Sequence, residues 1–122
     1  MATSENLQKI SMVAGADLSS SQFCFVHANA SGEAVLTTAN GVASGVLYND
    51  PISGRAAEVA IDGVVKVLCG AAVTAGGPVA SDAAGKAKNA AAGNYVHGTA
   101  LETGADGRII SVLFHPRGPL PA

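Results

Sequence analysis

The sequence predicts a single all-β domain, and three observations carry that expectation. Short runs of β-branched and small apolar residues alternate with Gly, Asn, Asp and Pro clusters along the whole chain, no segment keeps helical spacing between strong caps, and the side chains are small throughout. At 122 residues the chain has room for one domain and no second core. A chain of this size buries roughly two-thirds of its unfolded surface, so neither disulfides nor a metal is needed for stability.

The strands expected are residues 7 to 13, 22 to 28, 33 to 38, 44 to 48, 56 to 61, 64 to 69, 78 to 81, 94 to 101 and 108 to 115. Residues 1 to 14 read as an N-terminal arm and first edge strand, 15 to 115 as the β domain, and 116 to 122 as a C-terminal tail. The arm opens on polar Ala2-Thr3-Ser4-Glu5-Asn6 and is expected to be mobile, while Pro116, Pro119 and Pro121 in the tail cannot donate to a sheet. Asp62-Gly63, between Ala57 to Ile61 and Val64 to Leu68, supplies the two positive-φ residues of a type I′ turn, so a hairpin is expected there. Residues 70 to 93 are rich in Gly and Ala. An alanine helix over 83 to 92 is conceivable, but Gly85 interrupts it at a cost of about 1 kcal/mol, and tight turns around one short strand fit better.

Both faces of two strands are apolar. Across the expected hairpin Ile61 opposes Val64 and Val59 opposes Lys66 while Ala60 and Val65 sit on the other face, and in the last strand Ile110, Val112 and Phe114 alternate with Ile109 and Leu113. Either a second sheet covers each side, as in a compact barrel, or one face meets another subunit. Val65, Val67, Ile109 and Leu113 are therefore the candidate subunit-interface residues.

Composition excludes several functions. Ala and Gly make up about a third of the chain, Trp is absent, and two Tyr and three Phe are the only aromatics, which leaves few faces on which bases or sugars could stack. Nine acidic and seven basic residues are scattered, giving a formal charge of -2 without the basic run that nucleic acid or anionic lipid requires. No apolar stretch has the length of a membrane span, and the first residues lack the pattern of an export signal, so synthesis in a cytoplasm is expected. In that setting Cys24 and Cys69 read as separate buried thiols, and Asn29-Ala30-Ser31 as a surface turn rather than a glycosylation acceptor.

No chemistry emerges from the motifs. Asp82 to Ala87 looks like part of a phosphate loop, but Ala80 and Ala87 stand where the loop needs Gly and Ser or Thr, so Lys86 is a solvated turn lysine. His27, His97 and His115 form no pair at metal-ligand spacing, and no Gly-x-Ser-x-Gly elbow or catalytic-cysteine signature accompanies them. Lys66 has a setting similar to the carrier lysine of biotinyl domains, yet it falls inside a strand rather than at a turn tip. No catalytic residue, cofactor or metal is assigned.

Gly45-Val46-Leu47, Val59 to Val65, Ala75 to Asp82, Gly85-Lys86-Ala87 and Gly98-Thr99-Ala100-Leu101 occur in an order that resembles phage capsid cement or head decoration proteins, over about residues 41 to 115. The resemblance implies a compact β-barrel or β-clip-like domain, without catalytic residues, that attaches to the capsid as a trimer, or in some relatives a dimer. The partners implied are the major capsid protein and further copies of the chain, with no nucleic acid and no membrane. The place implied is the virion's outer capsid surface between capsomers, where the protein would oppose internal DNA pressure. Thr3, Ser4, Glu5, Asn6, Leu7 and Gln8 are then the candidate capsid-binding residues, adding a strand to the shell protein through main-chain hydrogen bonds. The alternative is a β-clip-type ligand- or carbohydrate-binding module with a cleft lined by the glycine-rich turns of 70 to 77.

Overall fold

The computed structural model describes residues 2–121, among which there are nine strands and no helix. They are β1 (Glu5–Val13), β2 (Phe25–Ala28), β3 (Ala34–Leu36), β4 (Gly45–Leu47), β5 (Ala56–Leu68), β6 (Pro78–Ser81), β7 (Ala87–Asn89), β8 (Tyr95–Ala100) and β9 (Ile109–Pro119). All are joined in one antiparallel sheet, ordered β3-β2-β4-β5-β9-β8-β6-β7 with β1 added to β5, and the sheet curls into a half-barrel. Sequence and structure agree on the all-β class and on most strands.

The expected hairpin at Asp62-Gly63 does not form. β5 runs straight through it, and Gly63 (φ 95°) serves a bulge opposite the irregular start of β1, where pairing shifts between Glu5 and Lys9. A Cβ on Gly63 would lie 2.5 Å from the backbone oxygens of both Glu5 and Asn6, so this close approach of two strands needs glycine. Gly63 takes positive φ in either structure, while Asp62, which a type I′ turn would also need there, does not; β1 and β9 occupy the edges that a hairpin partner would have used.

The tail is also less separate than expected. β9 continues to Pro119, with Val96 opposite Gly118 and Tyr95 opposite Pro119, while Leu120 N–H donates to Asn94 O (2.8 Å). Proline is tolerated because this end of β9 pairs with β8 alone, leaving its other edge open among the described residues.

The strand order reads the same from either end because the chain is an internal duplication. Phe25↔Val46↔Ala60 across β2, β4 and β5 repeats as Pro78↔Thr99↔Leu113 across β6, β8 and β9, each pair of counterparts at one constant separation in sequence. Turn details repeat as well. Asn29 Oδ1 accepts from the N–H groups of Ser31 and Glu33, and Asp82 Oδ1 does the same for Ala84 and Lys86. A Cβ on Gly45 would strike Ala60 O, and one on Gly98 would strike Leu113 O. Strand β5 belongs to both units: its first half closes the first, against β1, and its second half opens the second, against β9, so that Ile10↔Val59 recurs as Val65↔Val112.

Each unit has a core. Ala14, Leu18, Val26, Ala34, Leu47, Ala57 and Val59 fill the first. Their counterparts Cys69, Val73, Val79, Ala87, Ala100, Ile110 and Val112 fill the second, within a larger cluster that also holds the junction residues Phe25, Ala43, Val46, Ala60 and Val65. The two apolar faces of β5 are thus covered largely by the chain itself.

Candidate functional site

The candidate site is a set of surfaces. The N-terminal residues are tied to the sheet: Thr3 N–H donates to Ser111 Oγ (2.7 Å), and Ser4 Oγ shares a hydrogen bond with the Tyr48 hydroxyl (2.7 Å) that also accepts from Lys66 N–H (2.7 Å). Glu5, Asn6, Leu7 and Gln8 begin β1, whose only strand partner is β5, so its other edge is open among the described residues. Leu7 packs against the larger core, whereas most of β1 is exposed.

The four candidate interface residues separate. Val65 and Val67 are wholly buried in the chain's own core and cannot face a partner, because β9 and the first unit cover them. Ile109 and Leu113 point outward, 40% and 42% exposed, and Leu101 at the end of β8 joins them at 50%. Sequence pattern misses Leu101, since Gly98-Thr99-Ala100-Leu101 reads as an ordinary small-residue strand. Between Ile109 and Leu113, Ser111 donates its N–H to Glu102 Oε2 (3.0 Å), and that bond holds the Glu102 carboxyl below its usual range.

A cavity of about 370 Å³ opens beside the tail, lined chiefly by Pro78, Val96, Thr99, Arg117, Gly118 and Leu120. Its one charged side chain, Arg117, reaches Thr99 Oγ1 at 3.4 Å. No aromatic ring lines it, and of the glycine-rich turns only Gly76 contributes.

The groups weighed for chemistry are packed or dispersed. His97 is wholly buried at the junction of the units, stacked on Phe25 (4.7 Å between centroids), with Nε2 accepting from Ala43 N–H (2.9 Å) and Nδ1 without a partner. Burial pushes its pKa down to about 4. Cys24 and Cys69 are free, buried thiols whose pKa values burial raises, the reverse of an activated nucleophile. Lys86 sits in the Asp82 turn and Lys66 within β5. Among the described residues, no three His, Cys, Asp or Glu side chains come together as metal ligands.

A family model described as phage cement protein matches residues 3–113. The chain belongs to the phage cement protein family. Its members are structural components of the phage head, which gives this cement protein a capsid-associated structural role in the virion. The fold has a solved counterpart in the N base of the head fiber gp8.5 of bacteriophage phi29, with a TM-score of 0.75 and 16% identity over 95% of this chain and 99% of that one. No curated protein matches the cement protein by sequence.

Proposed function

We propose that this cement protein is a non-enzymatic decoration protein that binds the outer surface of the expanded capsid between capsomers, as a homotrimer, and stabilises the shell against internal DNA pressure. Family membership carries the reading. The open edge at the start of β1, Glu5 to Gln8, supports it, because a strand from the major capsid protein added there would gain main-chain hydrogen bonds without side-chain anchors. The capsid contact is assigned to Thr3, Ser4, Glu5, Asn6, Leu7 and Gln8, and the subunit contact to the face carrying Ile109 and Leu113. A symmetric oligomer that touches several capsid subunits at once converts modest contacts into avidity, and preference for the expanded shell stabilises it by mass action.

The test is co-sedimentation of the purified protein with empty expanded capsids. Removal of residues 2 to 8 is expected to abolish binding while leaving the circular dichroism spectrum intact, and removal of 116 to 122 to leave binding in place. A folded variant lacking 2 to 8 that still binds at full strength refutes the assignment of the arm.

A further inference from the structure

The duplication leaves one half of an interface at each end of the chain. Where the two units meet, the Phe25, Val46 and Ala60 row of the first, together with Ala43, shares a buried cluster with Val65 of the second. Phe25 N–H also donates to Gly85 O (2.6 Å), so the turn of the second unit docks on β2 of the first. Both sides of this junction recur elsewhere in the molecule, one as the lining of a cavity in which Val96 is buried and Pro78 and Thr99 are half-buried, the other on the exposed strand β1.

The counterparts of Phe25, Ala43, Val46 and Ala60 are Pro78, Val96, Thr99 and Leu113. Pro78, Val96 and Thr99 line the 370 Å³ cavity, and Leu113 is 42% exposed where Ala60 is wholly buried. Residues 115 to 120 follow the path that the second half of β5 takes in the first unit, but Gly118 stands opposite Val96 and brings no side chain to the place where Val65 packs. At the far end of the molecule, Ile10 holds the register position of Val65 and is 43% exposed. Gly32, the counterpart of Gly85, shows the same contrast: a Cβ on Gly85 would meet Phe25 O at 2.7 Å, and one on Gly32 would meet nothing within 4 Å.

We infer that copies of this cement protein associate head to tail, with Ile10 of one copy entering the cavity formed by Pro78, Val96, Thr99 and Gly118 of the next. The contact imitates in trans the junction that the chain makes within itself. The tail backbone keeps its place, so β1 seats beside it and supplies the apolar side chain that Gly118 lacks. Two different surfaces meet, so the interface is heterologous, and it closes a ring when the rotation between copies divides a full turn. The inference concerns self-association and does not depend on capsid binding.

Two single variants test it, Ile10→Cys and Thr99→Cys, since the native cysteines are buried. Mixed under mild oxidant, alone and with expanded capsids, they are expected to give a disulfide joining one copy of each, while neither variant cross-links with itself. Ile10→Asp should weaken self-association in sedimentation velocity by roughly tenfold or more, as loss of a central apolar anchor does, without lowering the melting temperature of the monomer. Absence of the mixed product in both settings, or Ile10→Cys joining to itself, overturns the head-to-tail contact. Failure to co-sediment with capsids, with the mixed disulfide still formed, counts against the capsid reading alone.

Discussion

Acidification should weaken this fold well before its carboxylates protonate, and His97 is the reason. The ring is wholly buried between Phe25 and Phe114 with Tyr95 alongside, and among the described residues its one polar contact is the bond it accepts from Ala43 N–H. That bond fixes the neutral tautomer, with the proton on the unpartnered Nδ1. Protonation would place a second donor against the Ala43 N–H and an unsolvated charge in the core. Burial lowers the folded pKa to about 4, from 6.5 in the open chain. The unfolded chain therefore binds the extra proton across this interval and the folded one does not. The stabilisation is complete above pH 6.5, declines as pH falls, and is lost by about pH 4. The difference corresponds to about 3 kcal/mol, a sizeable share of a small domain's stability. Chemical denaturation at pH 7, 6, 5 and 4.5 checks this. His97→Gln keeps a neutral acceptor for Ala43 N–H, and His97→Phe fills the space while orphaning that N–H. The two variants should differ in absolute stability yet share a flat profile between pH 6.5 and 4.5. Glu102, held below its usual range by Ser111 N–H, contributes in the same direction, its share being lost as pH falls from about 4.5, at the lower end of this interval. A wild-type slope that survives in His97→Gln would refute the argument.

Other outcomes follow from single positions. Gly63→Ala, which forces a Cβ against Glu5 and Asn6 at positive φ, should cost about 2 kcal/mol or more, and Gly54→Ala, in open space at φ 85°, only about 1; thermal melts compare them. Tyr48→Phe removes the hydroxyl that joins Lys66 N–H to Ser4, at about 1–2 kcal/mol, and hydrogen exchange at residues 3 to 6 should quicken while the core stays protected. Cys24 and Cys69 should resist alkylation at pH 8 in the folded protein and react promptly in denaturant, as read by mass spectrometry; fast labelling of the native state would contradict their burial.

The strand pattern was legible because it is local. Pro78–Ser81 coincides with its expected range, and β2, β3, β4 and β8 lie within theirs. β7 falls where the sequence predicts turns, for Ala87-Lys88-Asn89 has neither β-branching nor alternation, and its pairing with β6 alone makes it a strand. The Asp62-Gly63 error has a different origin. Local chemistry specifies positive φ at Gly63, but a turn and a bulge both use it, and the choice is made by β1 and β9, distant in sequence, which take up both edges of β5. The same distant placement buries Val65 and Val67, while Ile109 and Leu113, equally apolar in sequence, stay outside.

The duplication could have been read from the sequence, yet its signal is thin, and the reason bears on function. Counterparts keep their identity where the backbone demands it: Gly32 and Gly85 at positive φ, Gly45 and Gly98 where a neighbouring carbonyl leaves no room for a Cβ, Gly54 and Gly107 in the next turn. They diverge at the junction, where Phe25, Val46 and Ala60 correspond to Pro78, Thr99 and Leu113. The first set packs against a covalently attached neighbour and can be large, flat and fully apolar, as the stacking of Phe25 on His97 shows. The second borders solvent until something covers it, so a threonine and a proline replace the valine and the aromatic, while Leu113 and Ile10 remain exposed. Two junction surfaces built on one backbone plan, one sealed within the chain and one less apolar and open, are what a protein needs if one contact is permanent and the other forms only on assembly.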